Sequence, residues 1–250
     1  EESSLMESLE GKRGYPRVKP PFPAQKGLWG RPTTINNIES LANVPLIMNK
    51  GAEWYKGIGA ATHPGPLLYG ISGHVNRPGV YEYPTGMLIT DLINEVAGGV
   101  RNGKKVKAVI PGGSSTPPLR GDALDGVRMD SDSLRQAGSM LGTAGMCILD
   151  EDTDMVDFLW RVSHFYHHES CGQCTPCREG TGWLEKILIK IKNGEGNMRD
   201  LDLLLDLCTQ MEGRTICALA DAAAWPVRYT ITRFREDFEA RVKKTIYAVA

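Results

Sequence analysis

Residues 168–181 read His168-Glu169-Ser170-Cys171-Gly172-Gln173-Cys174-Thr175-Pro176-Cys177-Arg178-Glu179-Gly180-Thr181. This run presents three thiols at intervals of three, and Cys217 lies forty positions beyond the third. A [4Fe–4S] cube takes four thiolates at the corners of a tetrahedron, so a tight loop can supply three while a remote segment supplies the fourth. The spacing therefore predicts a cluster held by Cys171, Cys174, Cys177 and Cys217, and with it electron transfer.

Structural zinc, disulfides and plain buried thiols are the alternatives to a cluster. Zinc sites usually arrange their ligands as two separated pairs, whereas this chain has a triplet and a singleton. A disulfide framework is typical of small secreted domains, and six cysteines among 250 residues is a sparse content. The remaining cysteines, Cys147 in a predicted strand and Cys208 on an apolar helix face, are interpreted as small core residues. The spacing thus favours the cluster and leaves zinc as the second interpretation.

Three histidines, His164, His167 and His168, precede the cysteine run and suggest a metal site of their own. Because four thiolates are already available, the histidines are interpreted as residues outside the ligand set or on the surface.

Composition excludes several function classes. The 29 basic and 30 acidic residues give a net charge of −1, so no global charge favours nucleic acid. No run of about eighteen apolar residues is present to insert into a membrane, and the first twenty positions are charged rather than apolar like a signal peptide. The chain is expected to be cytoplasmic, or to lie on the cytoplasmic face of a larger assembly.

The first of three expected units, residues 1–57, contains a predicted helix over residues 3–9 and then a stretch rich in Gly, Pro and basic residues over 11–32. Prolines remove amide donors, so this stretch is predicted to form an extended surface loop without helix or central strand. Asn36 and Asn37 then introduce another helix. By themselves, such paired amides are more often caps or turn residues than ligand contacts.

The second expected unit, residues 58–150, shows strand patterns over 67–73, 80–83 and 106–110 and helical spacing from Leu88 to Val96. Hairpin, helix and strand in this order predict a β-grasp layer. The run Gly112-Gly113-Ser114-Ser115 lacks the lysine and following helix of a phosphate loop and is predicted to be a plain turn.

The third expected unit, residues 151–250, is helical and holds all four proposed ligands. One predicted helix leads into the cysteine triplet, a second follows Gly180 and a third covers residues 201–211. A single last helix is predicted to carry an excess of cations, which is either a solvated face or a docking patch for an acidic neighbour. These cations are Arg228, Arg233, Arg235, Arg241, Lys243 and Lys244.

Five motifs together resemble the flavin-bearing, NADH-oxidising subunit of respiratory complex I, the family of F-type subunits. They are Glu1-Glu2-Ser3-Ser4-Leu5, Pro20-Pro21-Phe22-Pro23-Ala24, Pro32-Thr33-Thr34-Ile35-Asn36-Asn37, the run over residues 169–181, and Thr215-Ile216-Cys217-Ala218-Leu219-Ala220-Asp221. The resemblance covers the whole chain and implies an α/β plus all-α multidomain fold. Its parts would be the end of an α/β flavin domain, a ubiquitin-like β-grasp domain of the soluble-ligand-binding type and a helical bundle carrying the cluster. In relatives the glycine-rich flavin loop precedes the Glu-Glu pair, so the chain resembles a C-terminal fragment.

The resemblance also implies roles for individual residues. Cys171, Cys174, Cys177 and Cys217 would bind the cluster, and the other matched positions would lie at the nucleotide cofactors. Those positions are Glu1 and Glu2 beside the flavin and the NADH site, Asn36 and Asn37 reaching the flavin, and Ala218 and Leu219 packed near its isoalloxazine ring. No side chain resembles a required catalytic acid or base.

The implied activity is oxidation of NADH through FMN, with single electrons passed to a [4Fe–4S] cluster, as the electron-input subunit of NADH:quinone oxidoreductase. The implied partners are a thioredoxin-like [2Fe–2S] subunit and the large iron–sulfur subunit of the peripheral arm, with no nucleic acid and no direct membrane insertion. In a eukaryote the location would be the matrix side of the mitochondrial inner membrane. Two alternatives remain: a diaphorase subunit of an NAD-linked hydrogenase, formate dehydrogenase or bifurcating enzyme, and a non-catalytic module with a structural metal.

Overall fold

The N-terminal part of the chain is helical and open. A computed structural model describes residues 2–248, with side chains as far as Val242. Its first helices are α1 (Glu2–Leu9), α2 (Pro23–Lys26), α3 (Ile38–Lys50) and α4 (Ala52–Lys56). None of the thirteen residues of α3 is buried, although its sequence is amphipathic. This part of the chain therefore exposes apolar side chains such as Ile38, Leu41 and Met48.

The prediction that residues 11–32 contain no helix is wrong at α2. Pro23 occupies the first turn of α2, where the amide that proline lacks would have no intrahelical partner in any case. A single 3₁₀ turn, Leu28–Gly30, follows. The rest of the stretch is extended, as the prolines require.

The middle of the chain forms a five-stranded mixed sheet. A small ribbon of β1 (Gly59–Ala60) and β2 (His63–Pro64) precedes it. The sheet strands are β3 (Pro66–Gly73), β4 (Gly79–Pro84), β5 (Val106–Ile110), β6 (Leu119–Arg120) and β7 (Gly145–Asp150). Their order is β4-β3-β7-β5-β6, in which β3 and β7 are parallel and all other pairs are antiparallel.

One face of the sheet is covered by the connection between β4 and β5. This connection begins with α5 (Ile89–Asp91), which continues into a π-helical turn over Leu92–Val96. Its apolar residues pack on the alternate buried positions of β3, Tyr69 and Ile71. A further short helix, α6 (Ser131–Gln136), leads toward β7.

The C-terminal part packs five helices around a second core. They are α7 (Met155–Glu169), α8 (Thr175–Lys192), α9 (Met198–Met211), α10 (Leu219–Arg233) and α11 (Arg235–Ala248). Two predictions are corrected here. Helix α8 begins at Thr175 rather than after Gly180, and the single last helix is two helices that meet at Phe234, which is buried.

Gly180 explains the first correction. It lies inside α8, and a Cβ at this position would come within 2.6 Å of the Met211 sulfur of α9. The glycine therefore permits a close helix–helix contact and does not interrupt the helix.

Polar contacts join the helical part to the sheet. Lys107 of β5 forms an ion pair with Asp237 of α11 at 2.6 Å. Arg233, at the end of α10, donates to the carbonyls of Pro118 at 2.6 Å and Gly138 at 2.7 Å. The mixed α/β architecture with a helical C-terminal region agrees with the sequence-based expectation. Within residues 2–248, no helix is both long and apolar enough to cross a membrane.

Candidate iron–sulfur site

The four cysteines of the predicted cluster line one cavity. Its volume is about 510 Å³, and Ala218 and Leu219 contribute to the same wall. The rest of the lining is Ser4, Gly14, Pro16, Tyr166, Glu169, Gln173, Thr215 and Ala222. The structure thus places Cys217, which is remote in sequence, in the same cavity as the cysteine triplet.

The three cysteines of the triplet lie in a loop and in the first turn of the helix that follows it. Gly172 has a φ of 79°, which lets the chain turn sharply between the first two cysteines. Cys174 is the N-cap of α8, and Cys177 lies in its first turn. Pro176 fits here because the first helical positions need no amide partner. The N-terminus of α8, which is the positive end of its dipole, therefore lies at the cysteine triplet.

The fourth thiol comes from the segment between α9 and α10. Thr215 donates its hydroxyl to the Cys217 carbonyl at 2.8 Å, which holds this turn. The neighbouring amide of Ile216 donates to the Cys174 sulfur at 3.5 Å. This contact links the two cysteine segments directly.

The electrostatics of Cys177 reflect the crowding of thiols in the cavity. Burial raises the pKa of the Cys177 thiol, the Ser170 hydroxyl acts in the opposite direction, and Cys217, Cys171 and Cys174 raise it further. Four thiolates in one cavity would repel one another, so a bound cationic centre is needed to hold them ionised. All six cysteines of the chain are free thiols. The donor set therefore fits a thiolate-bound iron–sulfur cluster.

The described side chains are not arranged around a single metal ion. Among the described residues, no three His, Cys, Asp or Glu side chains are gathered around a point where one ion would sit. A zinc ion holds its sulfurs at about 2.3 Å and needs such convergence. The preference for a cluster over zinc therefore rests on the spacing of the four cysteines, a triplet and a remote thiol.

Two arginines fix the backbone of the cysteine loop. Arg13, from the loop after α1, donates to the Cys171 carbonyl at 3.2 Å. Arg178 donates to the next carbonyl, that of Gly172, at 2.9 Å. Successive carbonyls of the loop are thus held from outside by two separate segments.

The histidines lie outside the cavity lining. His164 and His167 both bond Glu185 of α8 through Nδ1, at 2.7 and 2.5 Å, and His168 bonds Glu169 at 3.0 Å. Burial acts to raise the pKa of Glu185, but the two imidazoles outweigh it and leave that pKa lowered. The described side chains therefore place the histidines on the surface of α7.

Cys147 and Cys208 lie away from the cavity. Burial raises the pKa of the Cys147 thiol, and raises that of Cys208 to about 12. The Cys208 thiol is buried and contacts the Ala224 carbonyl at 3.3 Å. Both behave as small core residues, as the sequence indicates.

The residues predicted to contact flavin are divided between two surfaces: Ala218 and Leu219 lie on the wall of the cysteine cavity, and the other described ones lie apart from it. Glu2, Asn36 and Asn37 line an open pocket of about 560 Å³, whereas Glu1 lies outside the described residues. Glu2 pairs with Lys19, which lowers the pKa of that carboxyl to about 2. The Asn37 side chain caps α3 by accepting from the Ser40 amide at 3.2 Å, and Asn36 is exposed. Of the pair, Asn37 thus has the capping role that its residue type favours.

Three residues at the cavity were not predicted from the sequence. Tyr166 lines it and bonds Ser114 at 2.9 Å, Arg13 holds the loop, and Ser170 contacts the Cys177 sulfur at 3.2 Å. Ser170 directly precedes the first cysteine, so its place in the sequence indicates that it lies near the site. Arg13 carries no signal in a single sequence, because 158 positions separate it from its partner.

The cations of the last two helices are mostly used within the molecule. Arg228 pairs with Glu212, Arg235 with Glu239, and Arg241 with Asp154. Arg233 donates to the carbonyls of Pro118 and Gly138. The side chains of Lys243 and Lys244 lie outside the described set. The alternative of a docking patch therefore receives no support from the described arginines.

The chain is similar to known proteins along nearly its whole length. The NADH-ubiquinone oxidoreductase-F iron–sulfur binding region matches residues 157–241, and the SLBB domain matches residues 68–156. The F subunit of NADH-quinone oxidoreductase in Rickettsia massiliae (strain Mtu5) is 53% identical over 97% of this chain and 58% of its own length. The corresponding F 1 subunit of Rhizobium meliloti (strain 1021) is 50% identical over 97% of this chain and 56% of its own. This chain thus spans a little over half the length of these relatives.

A solved structure is also similar. The crystal structure of an NAD⁺-reducing [NiFe]-hydrogenase in the H₂-reduced state superposes with a TM-score of 0.88 and 35% identity, over 97% of this chain and 41% of that one. The iron–sulfur region identified by the family model contains the whole cysteine set. This chain belongs to the family of the F subunits of NADH-quinone oxidoreductase, of which it corresponds to the C-terminal part.

Proposed function

We propose that this chain is part of the electron-input subunit of an NADH:quinone oxidoreductase, which oxidises NADH through FMN and passes single electrons to a [4Fe–4S] cluster. Cys171, Cys174, Cys177 and Cys217 hold the cluster. Glu1, Glu2, Asn36 and Asn37 face the flavin and nucleotide. This proposal extends to the whole subunit, of which the chain is a part.

One observation carries the proposal: helix α1 contributes to the lining of both the cysteine cavity and the Asn36–Asn37 pocket. Ser4 of α1 lines the cavity, while Glu2 and Leu5 of the same helix line the pocket. A helix is about 10 Å across, so groups on its two sides are near enough for electron transfer between them. A flavin site beside a cluster site would allow the two electrons of a hydride to be accepted together and passed on one at a time.

The cluster supplies one-electron chemistry when bound, because its irons change oxidation state singly. The chain's own residues supply the rest. The cysteine loop and the start of α8 orient the thiols, and the buried side chains of Cys177 and Tyr166 limit the access of water. Ala218 and Leu219 form part of the cavity wall beside Cys217. The packing of this segment near the flavin is part of the same proposal.

A finer division into domains belongs to the same proposal. Residues 1–57 are the end of the flavin domain, 58–150 a ubiquitin-like β-grasp domain and 151–250 the cluster-bearing bundle. The parallel pairing of β3 with β7 at the centre of the sheet, flanked by antiparallel pairs, supports the β-grasp assignment. The exposed apolar face of α3 supports the first assignment, because a flavin domain would cover it.

The proposed partners are the thioredoxin-like [2Fe–2S] subunit and the large iron–sulfur subunit of the peripheral arm. Four protein thiolates leave no open coordination site, so electrons leave by transfer to a docked redox protein. The assembly would lie at the cytoplasmic face of the inner membrane, or at the matrix side in a mitochondrion.

An ultraviolet–visible spectrum of the full-length subunit, before and after NADH, tests the proposal. Flavin bands and broad iron–sulfur absorption that both bleach with NADH are the expected result. Analysis should give four irons and four acid-labile sulfides per chain. One zinc per chain and no bleaching would instead support a non-catalytic module.

The structural similarity to an NAD⁺-reducing hydrogenase favours a second candidate, a diaphorase subunit whose electrons are exchanged with a different enzyme. Crosslinking and co-purification from cells separate the two. Recovery with the peripheral-arm subunits supports the quinone reductase, and recovery with a hydrogenase or formate dehydrogenase subunit supports the diaphorase.

A further inference from the structure

We infer that Ser170 is a positioning residue for the cluster: its hydroxyl donates a hydrogen bond to the Cys177 sulfur and raises the reduction potential of the site. The inference rests on the proposed function, since it concerns the cluster held by the four cysteines. It adds a residue that is not itself a ligand and whose hydroxyl contacts the Cys177 sulfur.

The contact itself is close. Ser170 Oγ lies 3.2 Å from Cys177 Sγ, within the range of a hydrogen bond to sulfur. Either atom can be the donor while the thiol keeps its proton. Once Cys177 ligates iron it is a thiolate without a proton, so the serine must be the donor.

Ser170 is held in place by the backbone around it. It is the C-cap of α7, and its amide is directed at the His167 carbonyl at 3.4 Å. The Gly172 amide points to the same hydroxyl at 3.4 Å, which leaves the hydroxyl proton for the sulfur. Arg13 and Arg178 fix the two carbonyls that follow. These contacts hold the backbone around Ser170, so its hydroxyl stays close to the Cys177 sulfur.

The burial of Cys177 increases the effect of this hydrogen bond on the reduction potential. Cys177 is 6% exposed, the most enclosed of the four ligands. A sulfur in such surroundings lacks water to stabilise added negative charge, so a fixed donor matters more there than at an exposed ligand. Reduction adds one negative charge to the site, and a hydrogen bond to a charged acceptor favours that form. Loss of the hydroxyl should lower the potential.

The chain offers matched variants for a test. Ser170→Ala removes the donor, and Ser170→Thr keeps it. Ser163→Ala is the control, because Ser163 lies on the same helix, is buried and has no hydrogen-bond partner for its hydroxyl among the described residues. All are made in the full-length subunit, and iron, sulfide and the electron paramagnetic resonance of the reduced cluster are measured first. Absence of a cluster in the unsubstituted protein would contradict the proposed function itself, separately from the role of Ser170.

The decisive measurement is a redox titration followed by electron paramagnetic resonance. A midpoint potential shifted to more negative values in Ser170→Ala, and unshifted in Ser170→Thr and Ser163→Ala, is the expected result. An unshifted potential in a fully loaded Ser170→Ala protein would overturn the inference.

If Ser170→Ala does not load the cluster, resonance Raman spectra of the unsubstituted protein decide. Transfer to D₂O should shift the iron–thiolate stretches within seconds, because a hydroxyl exchanges faster than the amide of Ile216. No early shift would overturn the inference.

Discussion

The guanidinium of Arg13 donates a hydrogen bond to the main-chain carbonyl of Cys171 at 3.2 Å, across 158 positions of sequence. The loop that carries Arg13 is itself fastened to α1, because Arg17 pairs with Glu7 and Glu10. The first proposed ligand of the cluster is thus tied to the part of the chain that borders the proposed flavin surface.

Replacing Arg13 should make the cluster more labile. Arg13→Ala removes one hydrogen bond from the cysteine loop, about 1 kcal/mol, which corresponds to roughly fivefold faster loss of iron to a chelator. Arg31→Ala, at an exposed position of the same segment, is the control. The rate of bleaching at visible wavelengths measures the effect. Equal rates in both variants would show that the contact does not support the loop.

Substitution of single cysteines should distinguish the proposed cluster ligands from the cysteines of the core. Cys217→Ala removes the fourth thiolate and should abolish or convert the cluster's low-temperature resonance. Cys147→Ala and Cys208→Ala should keep that resonance, since neither residue reaches the cavity. Cys208→Ala should still lose stability, because its thiol is buried among apolar side chains. An unchanged signal in Cys217→Ala would refute its assignment.

Asn36 and Asn37 should respond differently to substitution. Asn37→Ala removes the cap of α3 and should lower the free energy of unfolding by about 1 kcal/mol, whereas Asn37→Ser should restore most of it. Asn36→Ala should change that free energy little, because the side chain is exposed. Urea unfolding measures both. Flavin content of the full-length subunit, measured in the same variants, reports cofactor contacts independently of capping.

The sequence predicts those features of the site whose residues lie close together along the chain. The triplet spacing predicts the ligands because a tight loop alone can place three thiols. The start of α8 was missed because Gly180 usually breaks a helix, yet here it allows contact with Met211. The break at Phe234 was missed because the charges around it continue the helical pattern.

Long-range pairing was not readable. The parallel alignment of Ile71 with Met146 joins strands far apart in sequence, and no local pattern specifies it. The same holds for Tyr166, which reaches Ser114 in a segment that the sequence indicates only as a plain turn. Such contacts depend on how the sheet and the helices pack, so they appear only in the folded chain.

Arg233 should be the strongest single link between the sheet and the helices. Its Nη1 and Nη2 atoms donate to the Pro118 and Gly138 carbonyls, and its own carbonyl accepts from Arg120 at 2.5 Å. Arg233→Ala leaves both acceptors without this donor. It should cost about 2–4 kcal/mol of unfolding free energy, because a hydrogen bond from a charged group contributes about 1.5–3 kcal/mol and the one to Gly138 is exposed and contributes less.

Arg235→Ala is the matched control for that prediction. Arg235 pairs with Glu239 one helical turn away, and such exposed pairs contribute only about 0.3–0.5 kcal/mol. Urea unfolding should therefore separate the two variants clearly. Arg233→Lys should recover only part of the loss, because an ammonium cannot span two carbonyls as a planar guanidinium does. Equal losses in Arg233→Ala and Arg235→Ala would mean that the apolar contacts of Phe234 and its neighbours, rather than the guanidinium, hold the sheet against the helices.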